Sequence, residues 1–233
     1  MRSKLLRILT FASLALSWSM ILAPAPTNAQ DRPSRPEEIE WTWEVRPARV
    51  DPKLPNVLLV GDSITRNYYP EVQRQLNHAA NVYLMATSAS VGDPRLPHQL
   101  ANFSTMEAVS FQVVHFNNGM HGWAYSELDY RAAFPSFLAA LHAMAPGASF
   151  IWATTTPVKA DAVPGPANAR IDARNSIALT FIKDAGISID DQHGLMIQHL
   201  DQYEDTVHFK PAGAIIQGQQ TAQSIRSSLQ SDK

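Results

Sequence analysis

Ser63, Asp205 and His208 are residues whose types can together perform nucleophilic chemistry. A serine hydroxyl is a weak nucleophile until a base takes its proton, and that base needs an orienting partner. His208 can be the base. Asp205, three residues earlier in the same loop, can orient it and stabilise its imidazolium. By itself an Asp-x-x-His pair also fits half a metal site or a surface pair. A metal would need more ligands. His115, His121, His193 and His199 are available, but no pair of them has recognisable metal spacing. Two other stretches could serve such a nucleophile. Thr87 to Pro94 is a small-residue run around Gly92, through which backbone can approach a ligand closely, although a plain surface loop would read the same. Asn117 to Gly122, with Asn118 and His121, is dense in side-chain donors.

The elements that must position these residues follow from periodicity. Val57 to Val60 reads as a short buried strand, broken by Gly61-Asp62. Ser63 then stands at its carboxyl end, ahead of a helical pattern. There it can aim a hydroxyl out of a sheet beside helix N-terminal N–H groups, or merely cap the helix. Further strands are expected at Val82–Ala86, Gln112–Phe116, Ser149–Ala153 and Ile187–Ile189. Helices are expected over Tyr69–Ala80, Leu128–Ala145, about Asn168 to Gly186, and Ala212–Leu229, with Pro135 marking a start or a kink. The alternation implies a three-layer α/β/α sandwich with a mostly parallel five-stranded sheet, flavodoxin-like in type. Right-handed crossovers would bring the Ser63, Gly92 and Asn117–His121 loops to one edge.

Ahead of that domain, Gln30 to Pro55 is rich in proline and charge and reads as an extended lead-in. Glu40 to Val45 interrupts it with alternating bulky residues, as an edge strand or a strap would. Trp41 and Trp43 would anchor that strap or line a sugar site. Residues 1–29 read as a signal peptide: Arg2, Lys4 and Arg7, an apolar run from Ile8 to Leu22, and Thr27-Asn28-Ala29 as a cleavage site before Gln30. Export to the periplasm or beyond is the expectation. Its removal takes three of the 19 basic residues and none of the 21 acidic ones, leaving a net charge of −5. That balance gives no reason to grip nucleic acid or anionic lipid. The chain has no cysteine, so neither disulfides nor a thiol nucleophile enter.

Gly61-Asp62-Ser63-Ile64-Thr65 near the start of the domain, with Asp205-x-x-His208 near its end, resembles the SGNH (GDSL-type) hydrolase family. The resemblance spans about Asn56 to Ala222, with wider phrases similar to a bacterial branch of that family. It implies Ser63 as nucleophile, Asp205 and His208 as its partners, and, through Ser90-Val91-Gly92-Asp93, Gly92 as an oxyanion donor beside the Ser63 N–H. The third block departs from the family's Gly-x-Asn-Asp. Gly119-Met120-His121-Gly122 puts His121 where asparagine would donate, with Asn118 as the alternative.

The resemblance implies serine-ester hydrolysis through an acyl-enzyme, without metal or organic cofactor. The substrate would be a small-molecule or polysaccharide ester, with O-deacetylation of a carbohydrate favoured. Cleavage of lysophospholipids or thioesters, transfer of the acyl group to a sugar, and a non-catalytic carbohydrate-binding relative are the alternatives.

Overall fold

Strand β2 (Asn56–Gly61) is the centre of the sheet because its side chains have no exposed face: Val57, Leu58, Leu59 and Val60 are all fully buried. Continuous apolar runs of this kind belong to parallel strands covered by helices on both sides. The computed structural model describes residues 33–231, so the expected signal peptide and its cleavage site lie outside the described residues. The sheet order is β1-β3-β2-β4-β5-β6, with β1 at Thr42–Val45, β3 at Asn81–Thr87, β4 at Val113–Phe116, β5 at Ser149–Ala153 and β6 at Ser188–Asp190. β3, β2, β4, β5 and β6 are mutually parallel, which is the five-stranded sheet expected from the periodicity.

A sixth strand comes from the lead-in. β1 (Thr42–Val45) pairs antiparallel with β3, Trp43 opposite Ala86, so part of the strap is built into the domain. Alternation puts Trp41, Trp43 and Val45 on one side of this strand. Trp41 and Val45 pack against the core layer that includes Ile64, Tyr68 and Val72.

The helices correct three expectations. α1 spans Ser63–Gln75, beginning six residues before the expected Tyr69 and running through Pro70. Asp62 caps it, its carboxylate accepting from the Ile64 N–H at 2.9 Å, and Ile64, Tyr68, Tyr69 and Val72 bury one face. That burial outweighs the single intrahelical hydrogen bond that an exposed proline removes. α2 (Arg95–Glu107) stands where the sequence pattern gives no helix. Leu96, Leu100 and Phe103 supply its buried stripe, and Pro97 sits in the first turn, where no N–H partner is lost. Pro135 lies inside α3 (Glu127–Met144), which starts instead at a capping box formed by Ser126 and Asp129. α4 (Asn168–Asp184), the short α5 (Gln192–Met196) and α6 (Pro211–Ser231) complete the chain.

β2 lies between β3 and β4 and runs parallel to both, so the segments that follow these three strands leave the sheet side by side. α6 packs across α1 from the opposite end of the chain. Gly218 permits that approach: a Cβ there would lie 2.6 Å from the Glu71 Cβ and 2.9 Å from the Tyr68 carbonyl. The close helix pair brings residue 208 to residue 63.

Candidate active site

Ser63 is the first residue of α1 and is half-buried. Its Oγ lies 2.8 Å from His208 Nε2, and His208 Nδ1 lies 2.8 Å from Asp205 Oδ2. The three residues singled out from spacing therefore form one relay. Asp205 is prepared by its own loop. Burial pushes its carboxyl up, but hydrogen bonds from the His208 backbone and ring and from the Val207 N–H outweigh it, holding the group at about 2. An ionised Asp205 can only accept, so His208 Nδ1 carries the ring proton and Nε2 offers its lone pair to the Ser63 hydroxyl.

The loop that carries Asp205 and His208 is pinned on both sides. A bridge joins Tyr203 to Phe209, whose rings lie 4.5 Å apart. The Tyr203 hydroxyl donates to the Pro157 carbonyl at 2.6 Å, and the Lys159 N–H donates to the Thr206 carbonyl at 2.9 Å. The loop is held although much of it is exposed.

The Ser63 N–H is the first of the helix and has no intrahelical acceptor. Gly92 sits in a tight turn in which the Asp93 N–H donates to the Ser90 carbonyl at 2.9 Å. A Cβ at Gly92 would lie 2.6 Å from the Tyr125 ring, so only glycine fits under that side chain. Asn118 is occupied elsewhere. Its Oδ1 accepts from the Val91 N–H at 2.8 Å and its Nδ2 donates to the Ala89 carbonyl at 2.8 Å. It ties the loop after β4 to the loop after β3. Asn117 donates to the Ala153 carbonyl and holds the same loop to β5.

His121 has a partner that sequence reading did not find. Its Nδ1 lies 2.9 Å from Glu37 Oε2, and the other oxygen of Glu37 accepts from the Gly122 N–H at 2.8 Å. Burial raises the Glu37 carboxyl, but the His121 and Gly122 contacts outweigh it and bring it below the usual range. Burial disfavours the charged ring of His121, yet Glu37, Asp62 and Glu40 outweigh that and raise its pKa. Glu37 belongs to the proline-rich strap, where nothing in residue spacing marks it out. Arg174 on α4 was also not anticipated. It is buried, and its guanidinium donates to the carbonyls of Gly119, His121 and Gly122 at 2.9, 2.7 and 3.0 Å. Burial lowers it to about 10.

The strap is fastened to the same edge. Glu40 accepts from Arg95 at 2.8 Å and from the Ser88 hydroxyl at 2.7 Å, and Ser34 donates to Asp93 at 2.7 Å. Two of the remaining histidines considered as ligands go separate ways. His115 pairs with Asp190 in the core at 2.8 Å, and His193 lies 3.3 Å from Asp172. Among the described residues no three His, Asp or Glu side chains converge as a metal-binding group.

No sequence-family profile and no curated protein sequence matches the chain. Solved structures do. A member of the lipolytic protein G-D-S-L family from Veillonella parvula superposes with a TM-score of 0.58 at 14% identity, over 73% of this chain and 98% of that one. A carbohydrate esterase family 3 protein from Talaromyces cellulolyticus gives 0.58 at 15% identity, over 76% and 99%. The C-terminal catalytic domain of peptidoglycan O-acetyltransferase A from Streptococcus pneumoniae gives 0.55 at 16%, over 76% and 96%. With a parallel sheet of this order and this layering, the chain has the fold of the GDSL-type (SGNH) hydrolases.

Proposed function

We propose that this protein is an exported serine esterase acting on short acyl esters, foremost O-acetyl groups of a carbohydrate. The observation that carries this reading is the continuous relay from Ser63 through His208 to Asp205, built on the carboxyl edge of a GDSL-type fold. His208 Nε2 takes the Ser63 proton as Ser63 Oγ attacks the ester carbonyl. Asp205 stabilises the imidazolium that forms. In this scheme the N–H groups of Ser63 and Gly92 donate to the developing oxyanion, and the α1 N-terminus adds its dipole. His208 then protonates the leaving alkoxide. Water, activated by the same imidazole, cleaves the acyl-enzyme.

His121 is the third oxyanion donor in this scheme, and Asn118 positions the loops. The tautomer decides how His121 works. Ionised Glu37 can only accept a hydrogen bond, so Nδ1 carries the proton, and a neutral His121 would present a bare Nε2 and repel an oxyanion. His121 donates from Nε2 only as imidazolium, the state its neighbours favour. The site then needs one neutral histidine, His208, and one charged one, His121.

The test uses the chain from Gln30 and its Ser63→Ala variant on p-nitrophenyl acetate, butyrate and octanoate. Turnover lost with Ser63 and strongest on acetate is expected. Equal rates in the two proteins would overturn the nucleophile assignment.

A further inference from the structure

Arg66 stands one turn after Ser63 on α1, so the two share a helix face, with Cβ atoms about 5–6 Å apart. Its guanidinium carbon lies 5.5 Å from the centre of the Trp41 ring and 5.1 Å from that of Trp43. Both indoles project from the same side of the strap. Trp43 is 52% exposed, large for an indole that only anchors a strand. Trp41 continues inward and meets the His121 ring edge-on at 5.9 Å. A half-exposed wall thus runs from His121 through Trp41 and Arg66 to Trp43.

Among the described residues no carboxylate pairs with Arg66 in an ion pair. The acids of the strap and of the α1 cap have other partners. Glu37 is held by His121 and Gly122, Glu40 by Arg95 and Ser88, and Asp62 by the Ile64 N–H. Aromatic faces hold a guanidinium in place without neutralising it. Its edge remains free to meet a carboxylate through two parallel N–H···O bonds.

We propose that Arg66, Trp41 and Trp43 form a subsite for a carboxylated sugar, the ring lying on an indole and the carboxylate on the guanidinium. This deepens the proposed function and rests on it: the ester cleaved at Ser63 is carried by an acidic glycan, on the carboxylated sugar itself or its neighbour. The carboxylate belongs either to the ring, as in a uronic acid, or to an ether substituent, as in N-acetylmuramic acid. Both present the same chemistry to Arg66.

The experiment measures binding directly, by calorimetry on the Ser63→Ala chain from Gln30, so that it does not depend on turnover. The probes are an oligogalacturonate, N-acetylmuramic acid and a neutral xylo-oligosaccharide. At least one acid should bind more tightly than the neutral sugar, with an affinity that falls as salt rises. Arg66→Gln should weaken that acid about tenfold or more and leave the neutral sugar nearly unchanged. Trp43→Ala should weaken acid and neutral sugar alike. Which acid responds identifies the source of the carboxylate.

Equal losses for acid and neutral sugar with Arg66→Gln, together with a lowered Tm, would make Arg66 a clasp for the strap and overturn the proposal. So would the absence of binding by both acids to the parent Ser63→Ala protein. Should Arg66→Gln fail to fold, the salt dependence and Trp43→Ala decide in its place. Acid binding without any Ser63-dependent hydrolysis would overturn the esterase reading alone.

Discussion

The substitution Glu37→Gln tests the charged state of His121. The replacement keeps one acceptor oxygen, which can still take the His121 Nδ1–H, while its amide nitrogen stands where Glu37 Oε1 accepted from the Gly122 N–H, so the anion and that one hydrogen bond are lost together. At a charge separation near 4 Å and a surface-like effective dielectric, the attraction lost is about 4 kcal/mol. The two side chains are 31% and 16% exposed, and solvent screening reduces this to about 1–2 kcal/mol. The loss weakens the proton affinity of His121. Its direction follows from the sign of the linkage: Glu37, with Asp62 and Glu40, raises the His121 pKa against burial, so removing Glu37 lowers it. Arg174 acts on the same loop through carbonyl oxygens and stays in place. The readout is the rate of p-nitrophenyl acetate hydrolysis, as kcat/KM against pH. It should fall on the alkaline side as His121 loses its proton, ending about 10²- to 10³-fold lower, the usual cost of one oxyanion donor. Glu37→Gln should bring the alkaline fall to lower pH. An alkaline limb that stays put, or a uniform loss at every pH, would refute the imidazolium reasoning.

Three other outcomes are expected. Asp205→Asn should lower kcat by about 10³- to 10⁴-fold without a large change in KM. The ring loses the acceptor that fixes its tautomer, and stopped-flow or steady-state assays would show a small effect if Asp205 were only a surface partner. Asn118→Ala leaves the Val91 N–H and the Ala89 carbonyl buried without partners, so denaturant titration should show a loss of about 3 kcal/mol; unchanged stability with lost activity would instead make Asn118 an oxyanion donor. Asp93 is held at about 2, because hydrogen bonds from Arg95 and Ser34 outweigh the burial that pushes it up. Its contribution is present above the unfolded value of about 4 and is lost as pH falls towards the folded value. Melting temperature should therefore drop across that window in the wild type and less in Asp93→Asn.

Much of the fold was legible because burial imposes simple periods. Val57 to Val60 reads as a covered strand, and the repeated return of such runs between helical stripes called for a parallel sheet with layers on both faces. The missed α2 shows where this reading weakens: its stripe has only Leu96, Leu100 and Phe103, and Pro97 looks like a breaker until its first-turn position is known. α1 was misplaced for a similar reason, because Pro70 obscured a helix whose buried face offsets the lost bond.

Two acid–histidine pairs look alike as residue types, Asp205 with His208 and Asp190 with His115. Spacing named the first, and only the packing showed that the second lies fully buried in the core, the other ring nitrogen of His115 meeting no hydrogen-bond partner among the described residues. The sequence by itself determined the strand-turn-serine unit, the Asp-x-x-His loop and the layered architecture, since each depends on neighbours close in the chain. The tertiary structure alone decided that Glu37 meets His121 across 84 residues, that Arg174 holds the carbonyls of that loop, and that Arg66 lies over both strap indoles. Those contacts join segments with no shared period, so they are set by how β1 docks on the sheet edge and how α4 packs beneath the loop after β4.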